Sequence, residues 1–304
     1  MGAEAVAWIG LGAAVLSIGC ASPDAQRRVV QDRALTLSIS DLQLHLQSDI
    51  YRSFGHLDAT GQNAFAVALW RLDRLKEARS PSTAEVGAGF GDEDAVIEFA
   101  RGRALSRLRR YREAALAYAE VTTHGRLLVQ HAENERQWME VFASLAEAAE
   151  GGDTVQATPE RAKAWEETWL HLAESLDGPH RALALIEAES WAQAGVELLA
   201  DTGRDSEAIR ACLELVERYR ESKLAARHLI RLGDLHAESA RLEHVRSRVE
   251  RRSLDVGRYE RSLERAFSAY ELASEARKPL LRREAESKIE ALLAYHEGVR
   301  SDVR

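Results

Sequence analysis

The sequence predicts an all-α protein built of stacked antiparallel helix hairpins. Three observations point there. From Asp24 onward apolar residues recur three and four apart, while the strict alternation that marks strands between hairpin turns is nearly absent. The five prolines, Pro23, Pro81, Pro159, Pro179 and Pro279, each fall where an element boundary is expected. Successive apolar stripes are separated by short turns, and such stripes are covered only when each helix folds back on the next. An apolar content of 45 % over 304 residues supports a sizeable core without disulfides.

The elements follow in order. Helices are predicted over Ser40 to Arg52 and Gly61 to Arg79, after a flexible tether over 20–39. Residues 80–93 form a glycine-rich loop containing Gly87, Gly89 and Gly91; together, 40–93 make an N-terminal hairpin and loop. No strand precedes that loop and no Lys-Ser/Thr follows it, so it lacks the context of a phosphate-binding loop. The helical array is predicted over 94–304. It begins with Asp94 to Leu108, striped by Val96, Ala100, Ala104 and Leu108, and Tyr111 to Thr122, striped by Tyr111, Ala114, Tyr118 and Val121. Only Arg109-Arg110 separates these two, so they must pack antiparallel.

A long helix over Arg126 to Glu150 stops at Gly151-Gly152. Thr158-Pro159 reads as an N-cap followed by proline at the first helical position, where the missing N–H costs nothing. That helix runs to Leu176, and the next from His180 to Asp201, closed by Gly203. Asp205 to Tyr219 carries Ala208, Cys212, Leu215 and Tyr219 on one face, which makes Cys212 a core thiol and an inert one. Ser222 caps a helix over Lys223 to Glu238. Helices over Arg241 to Val256, Tyr259 to Ala276 and Leu280 to Val299 complete the chain.

From Ala5 to Gly19 the chain carries no charge, about the length of a signal-peptide apolar segment and short of the roughly 20 residues a spanning helix needs. It closes on Leu16-Ser17-Ile18-Gly19-Cys20, which resembles the lipobox of a bacterial lipoprotein signal peptide. It departs from that pattern in having Ser17 three residues before the cysteine, and Glu4 but no basic residue near the start. A plain signal or an ordinary N-terminal helix is also compatible with these residues. The resemblance implies removal of 1–19, a diacylglycerol on Cys20, acylation of the new amino group, and an outer-membrane protein facing the periplasm, since Ala21 is not the aspartate of inner-membrane retention. Two or three acyl chains anchor a protein stably where one does not.

The segment Gly102 to Tyr118 places a small residue on one helix and Tyr111, Ala114 and Tyr118 on the next. This resembles a tetratricopeptide repeat, with Gly102 at the consensus glycine, Ala114 at the close-contact alanine and Tyr118 at the following aromatic. A second unit, Ala192 to Tyr219, has Gly203 at the turn, Ala208 at the contact and Cys212 in place of the aromatic. The following segment carries Leu232-Gly233 on a new first helix, and its start, Glu217-Arg218-Tyr219 with Ser222, resembles the repeat boundaries of periplasmic tetratricopeptide lipoproteins, including the outer-membrane assembly group. The resemblance implies an irregular tetratricopeptide-like α-solenoid and a non-enzymatic scaffold that binds a protein or peptide in a groove. Carried over by repeat position, the groove residues would be Arg103 and Arg107, then Gln193, Glu197 and Asp201, then Arg227, Asp234 and Glu238.

Chemistry is otherwise sparse. A formal net charge of -8 argues against nucleic acid, which demands a basic surface. With Cys20 acylated, Cys212 stands alone, so neither a disulfide nor a Cys-x-x-Cys pair is available. His228, His236 and His244 are eight apart and drift about 80° per step around a helix, so they do not converge on one metal ion, and His124 and His131 have no partner set. No cofactor is implied. Glu133/Glu135 and Glu147/Glu150 are the carboxylate pairs an envelope hydrolase would use, which keeps that reading, and a cytoplasmic scaffold, as alternatives. The arginine run Arg101, Arg103, Arg107, Arg109, Arg110 and Arg112 suits an acidic partner, anionic lipid or a solvated face. Trp138, Trp165, Trp169 and Trp191 are predicted core anchors.

Overall fold

The computed structural model describes residues 23–48, 63–79, 91–124, 128–150 and 158–303. Among them lie eleven helices and no strand: α1 (Pro23–Ser48), α2 (Ala64–Arg79), α3 (Asp92–Arg107), α4 (Tyr111–His124), α5 (Val129–Glu150), α6 (Pro159–Glu174), α7 (Gly178–Asp201), α8 (Asp205–Arg218), α9 (Ala225–Val249), α10 (Val256–Ser274) and α11 (Pro279–Val303). The protein is all-α. The chain divides into two compact units, the first holding α1 to α4 and α5 as far as Glu140, the second the rest of α5 from Val141 together with α6 to α11.

In the first unit α1, α2, α3 and α4 each pack on the next in chain order. Arg71 of α2 reaches Asp41 of α1 at 2.7 Å. Arg101 of α3 donates to Asp73 of α2 at 2.7 Å and to its own neighbour Glu98 at 2.6 Å, and Lys76 of α2 meets Glu98 at 2.5 Å. The Glu98 side chain is only 2 % exposed, and these two cations supply the charge partners that burial of a carboxylate demands. Between α3 and α4 the link is apolar. Tyr111, Ala114, Tyr118 and Val121 are all buried, as their spacing predicts. At the turn, Arg109 takes a positive φ of 60°, which ends α3 and starts α4 within three residues.

In the second unit α6 to α11 each pack on the next in chain order, and alternate helices are joined by ion pairs, Arg218 to Glu166, Arg231 to Glu197 and Lys288 to Asp234. Phe142 of α5 meets Trp169 of α6 edge to face at 5.4 Å. Thr158 caps α6 by accepting the Arg161 N–H, with Pro159 at its first position. One core gathers Val196 and Leu199 of α7, Ala208, Cys212 and Leu215 of α8, Leu232 and Leu235 of α9 and Ala269 of α10. A second gathers Ile230 and Ala240 of α9, Tyr259, Leu263, Ala266 and Tyr270 of α10 and Leu281, Ala285 and Leu292 of α11. Each large apolar side chain in them stabilises the fold by about 1.5–3 kcal/mol. Because α9 and α10 contribute to both, the apolar interior continues from one hairpin to the next.

Three expectations need correction. The stretch read as a tether is helical from Pro23, because Pro23 sits at an N-terminus and the following residues contain no helix breaker before Ser48. The break drawn between Glu238 and Arg241 does not exist, and α9 is one helix. Ala240 is fully buried there, and Ser239 does not interrupt the backbone. Finally, of the four tryptophans expected in the core, Trp169 is fully buried whereas Trp138, Trp165 and Trp191 are half-buried. The signal segment, Cys20 and the glycines of the loop before Gly91 lie outside the described residues.

Candidate functional site

The first-unit residues singled out by repeat position sit on α3. Gly91 precedes this helix, and its N–H donates to the Asp94 carboxylate at 2.9 Å. Asp92, Glu93 and Asp94 in the first turn suit the positive end of the helix dipole. Arg103 and Arg107 then fall four apart on one face. The arginine run is split by its partners: Arg101 is held by Asp73 and Glu98, and Arg110 by both oxygens of Glu113. Neither Arg103 nor Arg107 forms an ion pair among the described residues.

Arg107 is buried, at 9 % exposure, and its Nη1 has no hydrogen-bond partner among the described residues. Burial pulls its pKa below the ordinary arginine value, and the like charge of Arg103 pulls the same way. The Tyr118 hydroxyl, on the facing helix α4, is also buried and without a hydrogen-bond partner. Burial first, and Glu135 second, push its pKa well above the usual tyrosine value, while Arg103 and Arg107 oppose them. Sequence periodicity places Tyr118 in the core but cannot reveal that its hydroxyl is left without a partner.

The remaining candidates sit in the second unit. Gln193 and Asp201 are exposed on α7, and Arg227 and Glu238 on α9, with Glu238 3.8 Å from Arg241. Glu197 pairs with Arg231 of α9 at 2.5 Å. Asp234 accepts from the Tyr270 hydroxyl at 2.7 Å and from Lys288 of α11 at 2.6 Å. Glu197 and Asp234 therefore tie neighbouring helices together, and burial, together with the bond to Asp234, raises the Tyr270 pKa. The sequence also missed a buried contact between Glu189 of α7 and His228 of α9, 2.7 Å apart.

A cavity of about 190 Å³ lies between α6, α7 and α8, lined by Trp191, Ala192, Gly195, Leu199 and Leu215 among others. Arg204 spans it electrostatically, bonding Glu160 of α6 at 2.9 Å and Glu207 of α8 at 2.7 Å. Both carboxyls are held below the usual range, chiefly by their hydrogen bonds to Arg204. Glu166 takes hydrogen bonds from Arg218 and Tyr219. Arg204 and Arg218 are thus engaged by Glu160, Glu207 and Glu166.

The carboxylate pairs fare as follows. Glu133 is held down to about 2 by hydrogen bonds from Arg136 and then Gln137, whereas Glu135 belongs to the surroundings of Arg107 and Tyr118. The two therefore serve different neighbours. Among the described residues no three His, Cys, Asp or Glu side chains are arranged to hold a metal ion, and no helix is long and apolar enough to cross a membrane. Comparison of the chain with known protein families, curated proteins and solved structures finds no match.

Proposed function

We propose that this protein is a lipid-anchored interaction scaffold of the cell envelope. Its helix hairpins stack as a tetratricopeptide-like solenoid, offering the first helix of each hairpin to another protein or peptide. One observation carries the reading. Gly102 of α3 is pressed by the ring of Tyr118 of α4, and Gly233 of α9 is pressed in the same way by the ring of Tyr270 of α10. The same small-against-aromatic contact thus joins two hairpins whose sequence separations differ widely. Between them, α7 and α8 bring Val196 and Cys212 into one core. Volume is conserved at such an interface when both partners change together.

The first helices α7 and α9 also keep polar side chains at their surface, including Gln193, Asp201, Arg227 and Glu238, which suits a polar, protein-facing groove. The anchor rests on the apolar segment ending at Cys20, and outer-membrane placement on Ala21.

Two experiments test this. Metabolic lipid labelling and detergent partitioning should find acyl chains on the wild type and none on Cys20→Ala; equal, unlabelled cytosolic recovery of both would remove the anchored reading. A pull-down from solubilised envelopes should capture a partner that an Arg103→Glu/Arg107→Glu protein of unchanged helicity loses. Retention of every captured protein by that variant would exclude this face as the groove.

A further inference from the structure

We propose that the cleft between α6, α7 and α8 anchors one aromatic side chain of a partner polypeptide, with an acidic neighbour of that side chain at Lys163 and a basic neighbour at Glu214. This site lies apart from the groove proposed above. Trp191, Gly195 and Leu199 stand two residues before Gln193, Glu197 and Asp201 on α7, about 200° away around the helix. Glu197, on that far side, is held by Arg231 of α9.

Gly195 sits inside α7, where only proline is a poorer helix former than glycine. Packing does not demand it. Beyond the backbone of α7 itself, a Cβ there would meet only the Ala162 Cβ within 4 Å, at an ordinary 3.5 Å. Gly102 and Gly233 differ, because a Cβ on either would run into a tyrosine ring. What Gly195 does provide is room, since it borders the cavity of about 190 Å³. An apolar cavity of about 150 Å³ admits benzene, whereas sites for drug-sized molecules start at about 300 Å³. One phenyl ring is therefore the occupant of the right size. Leu199, Ala211 and Leu215 supply apolar wall beside Trp191, which is half-buried with the Trp165 ring 6.3 Å away. Indole and phenyl rings attract one another beyond the area they bury.

The charges at the mouth identify what carries the ring. Arg204 is engaged by Glu160 and Glu207, and Arg218 by Glu166. Of the charged side chains lining the cleft, Lys163 on α6 and Glu214 on α8 alone form neither an ion pair nor a hydrogen bond among the described residues, although the charge of Glu214 reaches Arg218. Both are exposed, so the cleft opens to solvent beside them. α6 and α8 each pack on α7, which puts one positive and one negative side chain on the two walls. A free aromatic molecule makes no use of that pair. A polypeptide with an acid on one side of its aromatic residue and a base on the other satisfies both.

The test uses the full-length protein in non-ionic detergent and the peptide acetyl-Asp-Phe-Arg-amide. Indole N–H signals are followed by NMR, with Trp191→Phe identifying the Trp191 signal, and a saturable shift of that signal is expected. Replacing the peptide's Phe by Ala should weaken binding at least about tenfold, the order that burial of one large apolar side chain supplies. Gly195→Leu, which fills the cleft, should weaken it as much. Gly195→Ala should raise the urea midpoint, because helix propensity improves and the methyl group has space. Lys163→Glu changes an exposed residue and decides the matter if Gly195→Leu fails to fold. With both walls negative, acetyl-Arg-Phe-Arg-amide should then bind more tightly than acetyl-Asp-Phe-Arg-amide, the reverse of the wild-type order. The proposal is overturned by an absent Trp191 shift, by equal binding of the Phe and Ala peptides, by unchanged binding to a folded Gly195→Leu, or by an unreversed order in Lys163→Glu. A lower urea midpoint for Gly195→Ala would make the glycine structural and overturn it as well. Toluene binding as tightly as the peptide would make this a small-molecule cavity, and self-association abolished by Gly195→Leu would make a second copy the occupant; either also overturns it. The titration needs no envelope partner, so it stands or falls separately from the pull-down with Arg103→Glu/Arg107→Glu.

Discussion

The ring of Tyr118 occupies the space that a side chain at position 102 would need. A Cβ on Gly102 would stand 2.6 Å from Tyr118 Cε1 and 2.7 Å from Cζ. The ring is fully buried and packs edge-on against Phe99 at 5.4 Å between centroids, so it has little room to retreat. Gly102→Ala gains about 1 kcal/mol of helix propensity but overpacks at about 1–3 kcal/mol. We expect a net loss of up to about 2 kcal/mol in urea denaturation. In a Tyr118→Leu background the same substitution should cost less or stabilise, a coupling that a double-mutant cycle reads directly. A more stable Gly102→Ala protein would show that the ring yields.

Gly203 poses a purely backbone question. Its φ is +71°, and a Cβ there would meet nothing within 4 Å. Substitution therefore tests conformation without packing. Gly203→Ala is predicted to destabilise the second unit by about 1 kcal/mol, visible as a lower urea midpoint at unchanged slope. No change would mean that the α7–α8 turn relaxes to a different backbone.

Cys212 should be unreactive while the protein is folded. Burial pushes its thiol up to about 12, and Glu197 and Asp234 add to this against Arg231. In a Cys20→Ala protein at pH 8, a thiol reagent should label Cys212 only after denaturant is added, since the thiolate is the nucleophile. The unfolded thiol ionises near 8.5, so its contribution to stability is complete below that pH. That contribution disappears as pH rises towards about 12, where the folded thiol ionises. Cys212→Val should lack this part of the alkaline loss. Rapid native labelling would place the thiol near solvent.

His236 makes the fold sensitive to acid. It is buried on α9, and burial, then the charge of Arg265, lower its pKa from 6.5 to about 4. The unfolded chain therefore takes up a proton before the folded one does. Stability from this group is full above about pH 6.5 and falls as pH drops to about 4, by up to about 3 kcal/mol. Denaturation curves of wild type and His236→Leu should diverge across that window, the wild type losing more. Parallel curves would show that the imidazole is protonated without cost.

Local periodicity was enough to read the apolar faces. Ala208, Cys212, Leu215 and Tyr219 are buried as their spacing requires, Thr158 and Pro159 start α6, and Gly203 ends α7, because each of these depends on residues within one or two turns. A stripe spaced by three and four must face another helix wherever that helix comes from. The unbroken course of α9 was not legible. Its three histidines His228, His236 and His244 look scattered around the helix, yet all are buried because α9 packs against α8, α10 and α11 at once.

The polar partners were decided by tertiary structure alone. Arg103 and Arg107 share a face in any α-helix, but only packing decides that the Arg107 Nη1 and the Tyr118 hydroxyl are buried without a hydrogen-bond partner. Glu197 and Asp234 look the same in sequence as Gln193 and Asp201, yet they are consumed by Arg231, Tyr270 and Lys288. A helical period tells which side of an element avoids water. It carries no information about which charge on a distant helix will arrive opposite, and that pairing determines whether a side chain is structural or free to bind.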